Sequence, residues 1–119
     1  MLKLANHPIY KHSLPAGHRF PMEKYDLLPK QLLHEGTCVE ANFFQPELPS
    51  EELILAVHDK GYLDDLKNGT LDKRAARRIG FPLSEELIRR ELIIADGTVK
   101  ACDYALEYGI AMNIAGGTH

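Results

Sequence analysis

Residues 84–115, SEELIRRELIIADGTVKACDYALEYGIAMNIA, decide the fold of this chain. The segment opens at Ser84, and apolar or small residues then recur at helical spacing: Leu87, Ile88, Leu92, Ile94, Ala95, Val99, Cys102 and Leu106. Gly97 is the one weak point inside this helix, and Gly109 ends it. The apolar run IAMNIA that follows predicts a strand. A long helix leading directly into a strand is the order typical of an α/β layer.

The rest of the chain predicts further α/β elements around this unit. We expect a strand at residues 2–5, a loop at 7–21, and a helix from 21 to 36 that is kinked or begins afresh at Pro29. The β-prone run TCVEANFF follows. Three short helices are then predicted, at 51–58 after Ser50, at 59–69, and at 70–80 with Thr70 as cap. We predict one α/β domain over residues 1–119, a partial parallel sheet flanked by helices in which the strand at 110–115 is central.

Composition excludes several functional classes. The 119 residues are 45% hydrophobic, which is enough for a buried core, and the net charge of −3 does not favour binding to nucleic acid. The basic cluster at residues 73–78 is explained by a solvated helical face. Cys38 and Cys102 are far apart and fit neither a disulfide framework nor a zinc knuckle. Without a leader-like or membrane-spanning segment, the sequence predicts a cytoplasmic protein with no membrane partner.

His119 is the strongest candidate among the six histidines. Three others share a surface loop, one suits the negative end of a helix, and His58 with Asp59 is best explained as a capped helix junction. His119 instead follows a predicted buried strand and the pair Gly116 and Gly117, which lets the backbone approach a ligand closely. Ligands of doubly wound sheets lie beyond the carboxyl ends of the strands. A histidine there is suited to general acid or base catalysis.

Three stretches carry a family resemblance. The C-terminal part RRIGFPLSEELIRRELIIADGTVKACDYALEYGIAMNIAGGTH, the N-terminal HPIYKHSLPAGHRFPMEKYDLLPKQLLHEG and the central AVHDKGYLDDLKNGTL resemble the zinc-dependent histone deacetylase superfamily, in particular its bacterial and class IV-like members. The resemblance implies the arginase-like deacetylase fold and hydrolysis of the amide of an acetylated lysine or acetylated amine. It also implies a catalytic zinc in the full-length family.

Carried over by position, the resemblance gives His119 the place of the first histidine of a catalytic His-His pair. Gly116 and Gly117 would form the floor beside the site, and Lys24 falls where many members have an arginine that lines an inner channel for the product acetate. The family's metal ligands have no counterpart in these residues. We therefore expect the N-terminal segment of a deacetylase-like domain, truncated at the His-His motif, which binds no zinc by itself and is catalytically incomplete.

Two alternatives stay open at this point. One is a non-enzymatic α/β module that oligomerises, and the other is a fragment of an arginase or agmatinase type of ureohydrolase, which shares the fold. An incomplete sheet would expose an unpaired edge and apolar residues such as Ile110, Met112 and Ile114. The sequence therefore also predicts a homo-oligomer.

Overall fold

A computed structural model describes residues 1–117 as a mixed α/β fold with a small parallel sheet. The helices and strands follow one another in the order β1 (Lys3–Ala5), α1 (Lys24–His34), β2 (Phe43–Phe44), α2 (Glu51–Leu55), α3 (Lys60–Asn68), α4 (Lys73–Ile79), α5 (Glu85–Tyr108) and β3 (Ala111–Asn113). Two 3₁₀ turns, Pro8–Tyr10 and Glu40–Asn42, precede α1 and β2 respectively. The α/β class and the parallel sheet predicted from sequence are confirmed.

The described sheet has the strand order β2-β1-β3, and both pairings are parallel. Leu4 of β1 faces Phe43 on one side and Met112 on the other, so β1 is the central strand. The strand after α5 is indeed a neighbour of the first strand. The prediction that it lies centrally is wrong for the described residues, because β3 pairs with β1 alone and forms an edge. That this edge joins a second copy of the chain stays a prediction.

Helix α5 is the longest element and begins as predicted. The Ser84 hydroxyl accepts a hydrogen bond from the backbone N–H of Leu87, and Gly109 ends the helix with a φ of 93°, which favours glycine. The buried stripe is shorter than the apolar pattern indicates. Leu106 is 88% exposed and Val99 is 40% exposed, because the strands that α5 covers are only two or three residues long.

The starts of the other helices agree with the sequence prediction in part. α1 runs through Pro29 as one helix, so it does not begin afresh there. Ser50 caps α2 and Asp59 caps α3, as the sequence predicted. Thr70 does not cap α4. Its hydroxyl donates to Asp65, and the Asp72 carboxylate accepts from two backbone N–H groups at the start of α4 instead.

The main core lies where α5 meets the segment that leads into α1 and the end of β3. Its buried members are Tyr10, Met22, Tyr25, Ile93, Ile94 and Ala115. The segment at 7–21, which the sequence predicted to be a surface loop, therefore contributes Tyr10 as a fully buried residue. This core holds the end of β3 and Ala115 against α5.

Candidate functional site

A cavity of about 460 Å³ lies where the chain leaves the carboxyl end of β3. Gly116 and Gly117 line one side of it. The other walls come mostly from apolar side chains of α3, α5, the end of α4 and the segment between α4 and α5: Leu63, Leu66, Ile79, Phe81, Leu83, Leu87, Ile88, Leu92 and Ala95. The glycine pair thus lies beside a concave site at the end of a parallel strand, and its role toward a substrate stays a prediction.

Three polar side chains also line the cavity, namely His58, Tyr62 and Glu91. The His58 and Tyr62 rings lie with their centroids 6.1 Å apart, and both residues are exposed. The Glu91 carboxylate accepts a hydrogen bond from Arg90 Nη1 at 2.6 Å, which commits it to a structural ion pair. The cavity is therefore suited to an apolar group with a few polar contacts at its rim.

Arg90 is the one fully buried charged side chain recorded among the described residues, and every part of its guanidinium has a partner. Nε donates to the carbonyl of Tyr10 at 2.7 Å, Nη2 lies 3.7 Å from Met22 Sδ, and the group sits over the Tyr25 ring at 5.2 Å. A buried charge is tolerated only when it is paired in this way. Arg90 thereby fastens the segment before α1 onto α5.

All hydrogen-bonding positions of the Asn113 side-chain amide in β3 are occupied. Oδ1 accepts from Tyr10 Oη at 2.8 Å and from the N–H of Ala115 at 3.3 Å. Nδ2 donates to the carbonyl of Ile94 at 2.9 Å and to Thr98 Oγ1 at 3.0 Å. Two donor and two acceptor positions are all that an asparagine side chain has. One residue thus links β3, α5, the segment before α1 and the turn into Gly116.

Gly97 explains how α5 comes so near to this network. A Cβ atom there would lie 2.7 Å from Tyr10 Oη, 2.8 Å from Asn113 Nδ2 and 3.2 Å from the Cβ of Ala5. Real Cβ atoms do not come so close to hydrogen-bonded groups. The weak point of the predicted helix is therefore a place where helix and sheet lie too close together for a side chain on the helix.

Lys24 lies apart from the residues that line the cavity. It is exposed at the start of α1, with its ammonium 4.9 Å from the Phe20 ring centroid and 5.1 Å from that of Tyr25. Phe20 packs edge-on against Phe81, which does line the cavity. The structure thus connects Lys24 to the cavity through two aromatic rings, and its role toward a substrate stays a prediction.

The predicted catalytic residue His119 lies outside the described residues. Within residues 1–117, no three His, Cys, Asp or Glu side chains are grouped closely enough to hold a metal ion. The zinc that the family resemblance implies stays a prediction for the full-length family.

Sequence reasoning missed the residues that organise this end of the sheet. Tyr10 lies in the segment that the sequence predicted to be a surface loop, and Arg90 lies in a helix with many charged residues. Neither residue was therefore predicted to be buried. Asn113 did leave a signal, because it is the one polar residue in the apolar run IAMNIA, and a polar side chain withdrawn from water needs partners. Gly97 left a second signal, a glycine within an otherwise regular helix.

Comparison with known proteins gives two similarities, and no family model matches the chain. An uncharacterized protein of Picosynechococcus sp. is 42% identical over 113 residues, which are 95% of this chain and 38% of that protein. Histone deacetylase 2 of Arabidopsis thaliana is 27% identical over 108 residues, which cover 86% of this chain and 28% of that protein. The chain spans less than half the length of these curated relatives. The second similarity suggests a distant relation to histone deacetylases.

Among the described residues, none of the helices combines the length and the apolar character that crossing a bilayer requires.

Proposed function

We propose that this chain is the N-terminal part of a histone deacetylase-like amidohydrolase, which removes acetyl groups from acetylated lysine or other acetylated amines. The observation that carries the proposal is the distant similarity to histone deacetylase 2 of Arabidopsis thaliana over 86% of the chain. The sequence resemblance described above points to the same family through three separate motifs.

The geometry at the end of β3 supports this proposal. Gly116 and Gly117 leave a parallel strand beside a cavity whose walls are mostly apolar, and such a place suits an acyl group and the stem of a long amine. His119 follows the glycine pair by two positions. In the proposed enzyme it acts as a general acid or base, with the family's zinc held by residues beyond the described ones.

Activity of the complete gene product tests the proposal. The protein is expressed from its whole reading frame and assayed for acetate release from an acetyl-lysine peptide and from an acetylated polyamine. Wild type should release acetate, and His119→Ala should lower kcat by about 100-fold or more, as expected for loss of a proton-transfer group. His34→Ala is the matched control, because His34 is exposed near the end of α1 and should leave turnover unchanged.

Two results would contradict the proposal. Absence of acetate release by the folded wild-type protein would exclude deacetylation of these substrates. Equal kcat for wild type and His119→Ala would remove His119 from the catalytic step, even if the protein hydrolyses the amide.

The isolated chain of 119 residues gives a second test. We expect it to retain no stoichiometric zinc after dialysis and to release no acetate, because zinc sites for catalysis need about three protein ligands. Elemental analysis checks the first point. Stoichiometric zinc, or turnover that a hydroxamate blocks, would show that residues 1–119 form a complete site.

A further inference from the structure

We propose that Asn113 is a positioning residue, which Tyr10 locks in place so that the turn from β3 into Gly116 and Gly117 has one fixed geometry. The inference deepens the proposed function and rests on it, since that turn carries the chain toward His119. It assigns a role in the site to two residues that do not themselves line the cavity.

The first argument is local geometry. Ala115 N–H donates to Asn113 Oδ1 at 3.3 Å, two residues back along the chain, which closes a turn stabilised by an asparagine side chain. The preceding residue, Ile114, is held differently, because its N–H donates to the Ala5 carbonyl at 3.0 Å. The backbone therefore changes from strand pairing to side-chain control between Ile114 and Ala115. The orientation of Gly116 depends on that change.

The second argument is that the amide of Asn113 cannot rotate freely. Tyr10 Oη donates to Oδ1, while the Ile94 carbonyl and Thr98 Oγ1 occupy Nδ2. A flip of the amide would place Nδ2 against the Ala115 N–H and Oδ1 against the Ile94 carbonyl, so it would lose hydrogen bonds on both sides. Tyr10 is fully buried, and burial raises the pKa of its phenol above the usual value, so the hydroxyl keeps the proton that it donates.

The third argument is that the packing reserves space for this network. At Gly97 any side chain would strike Tyr10 Oη and Asn113 Nδ2. The helix thus has a glycine at the residue that faces the network. This glycine lowers the intrinsic helix propensity by about 1 kcal/mol relative to alanine. Apolar residues in place of Tyr10 and Asn113 could fill space, but they would leave the N–H of Ala115 without its acceptor. The polar pair is therefore explained by the turn that it controls.

Two variants and two measurements test the inference. Tyr10→Phe removes the donor to Asn113 but keeps the ring in the core, and Tyr108→Phe is the control, since Tyr108 is exposed on the last turn of α5. In the isolated chain, amide hydrogen exchange is followed at Ala115 and, as an internal reference, at Ile114. We expect Tyr10→Phe to speed exchange at Ala115 by about tenfold or more with little change at Ile114, because only the first amide depends on Asn113.

The complete gene product provides the catalytic readout. Tyr10→Phe should lower kcat per folded molecule at least about tenfold with KM nearly unchanged, as expected when a catalytic group is misplaced by a small distance. An unchanged kcat, or exchange rates at Ala115 and Ile114 that stay equal to wild type or rise together, would overturn the inference. If the wild-type protein releases no acetate, the proposed function fails, and the exchange rates alone decide whether Asn113 positions the turn.

Discussion

The contact between α5 and the sheet differs in construction from the layer of short helices α2, α3 and α4. In the first region α5 buries eight of its residues, and the buried Arg90 and half-buried Asn113 are bonded to partners far along the chain. In the second, Leu63 is the one residue of the three helices that is buried. Their bonds are mainly local, such as the caps at Ser50, Asp59 and Asp72 and the ion pair between Lys60 and Asp64.

The difference indicates two levels of stability within one small fold. Long-range contacts with α5 are lost only when the whole core opens, whereas caps and ion pairs between neighbouring residues can be lost one helix at a time. The cavity lies between the two regions, so the wall formed by the short helices is expected to be more mobile than the wall formed by α5. The stability changes caused by matched substitutions in the two regions should therefore differ.

Removal of buried side chains should give the largest effect. Ile93→Ala, in the core beside Tyr10, should lower the free energy of unfolding by about 4 kcal/mol, whereas Leu63→Ala should cost about 2 kcal/mol because Leu63 already borders a cavity and its helix can relax. Chemical denaturation monitored by circular dichroism measures both. Equal losses would show that α3 belongs to the same cooperative unit as α5.

Glycine-to-alanine substitutions should give the next largest difference in the free energy of unfolding between the two regions. Gly97→Ala should lower the free energy of unfolding by about 2 kcal/mol, because the clash with Tyr10 and Asn113 outweighs the gain in helix propensity. Gly61→Ala in α3 should change it by no more than about 1 kcal/mol, since the gain in helix propensity is opposed by a 3.0 Å contact of the added Cβ with Asp59 Oδ2, which caps α3. A neutral Gly97→Ala would mean that α5 can move away from the sheet at little cost.

Loss of a helix cap should lower stability less than these substitutions do. In one region it should affect global unfolding, and in the other only the local opening of a helix. Ser84→Ala should lower the free energy of global unfolding by about 1 kcal/mol, since α5 forms only with the core. Asp72→Ala should speed amide exchange within α4 and leave the global midpoint unchanged. A shift of the global midpoint by Asp72→Ala would contradict the division into two levels of stability.

The smallest expected effect concerns pH. Burial, and secondly the charge of Arg89, lower the pKa of His7 from its usual 6.5. The unfolded chain therefore binds this proton more readily, so stability should be fully present above about pH 6.5 and should fall as the pH drops toward the lowered value. His7 Nδ1 also accepts the N–H of Ile9, which a proton on that nitrogen would prevent.

His7→Asn is the matched variant for this prediction, because an asparagine oxygen can accept the same N–H but does not titrate. The change in thermal midpoint between pH 7.5 and pH 5.5 should be smaller in the variant than in wild type. The two changes should differ by no more than about 2 °C. An identical pH dependence of the two proteins would assign the acid sensitivity to other groups.

The sequence by itself determined the class of fold and most helix boundaries. Ser50, Ser84, Asp59 and Gly109 act within one turn of the chain, so their effect can be predicted without knowledge of tertiary contacts. Helix-to-strand order likewise predicted a parallel sheet that contains the strand after α5. The resemblance to histone deacetylases also came from sequence, and the similarity to the Arabidopsis protein supports it.

Only the tertiary structure decided which strand is central and what surrounds the turn into Gly116. Strand order depends on hydrogen bonds between residues far apart in sequence, and the periodicity of a single strand does not record its neighbours. The bond from Tyr10 to Asn113 joins residues separated by 103 positions, and the closeness of Gly97 to both exists only once α5 lies on the sheet. Local patterns fix helices and caps because those interactions are local, while a site assembled from distant segments is fixed by packing.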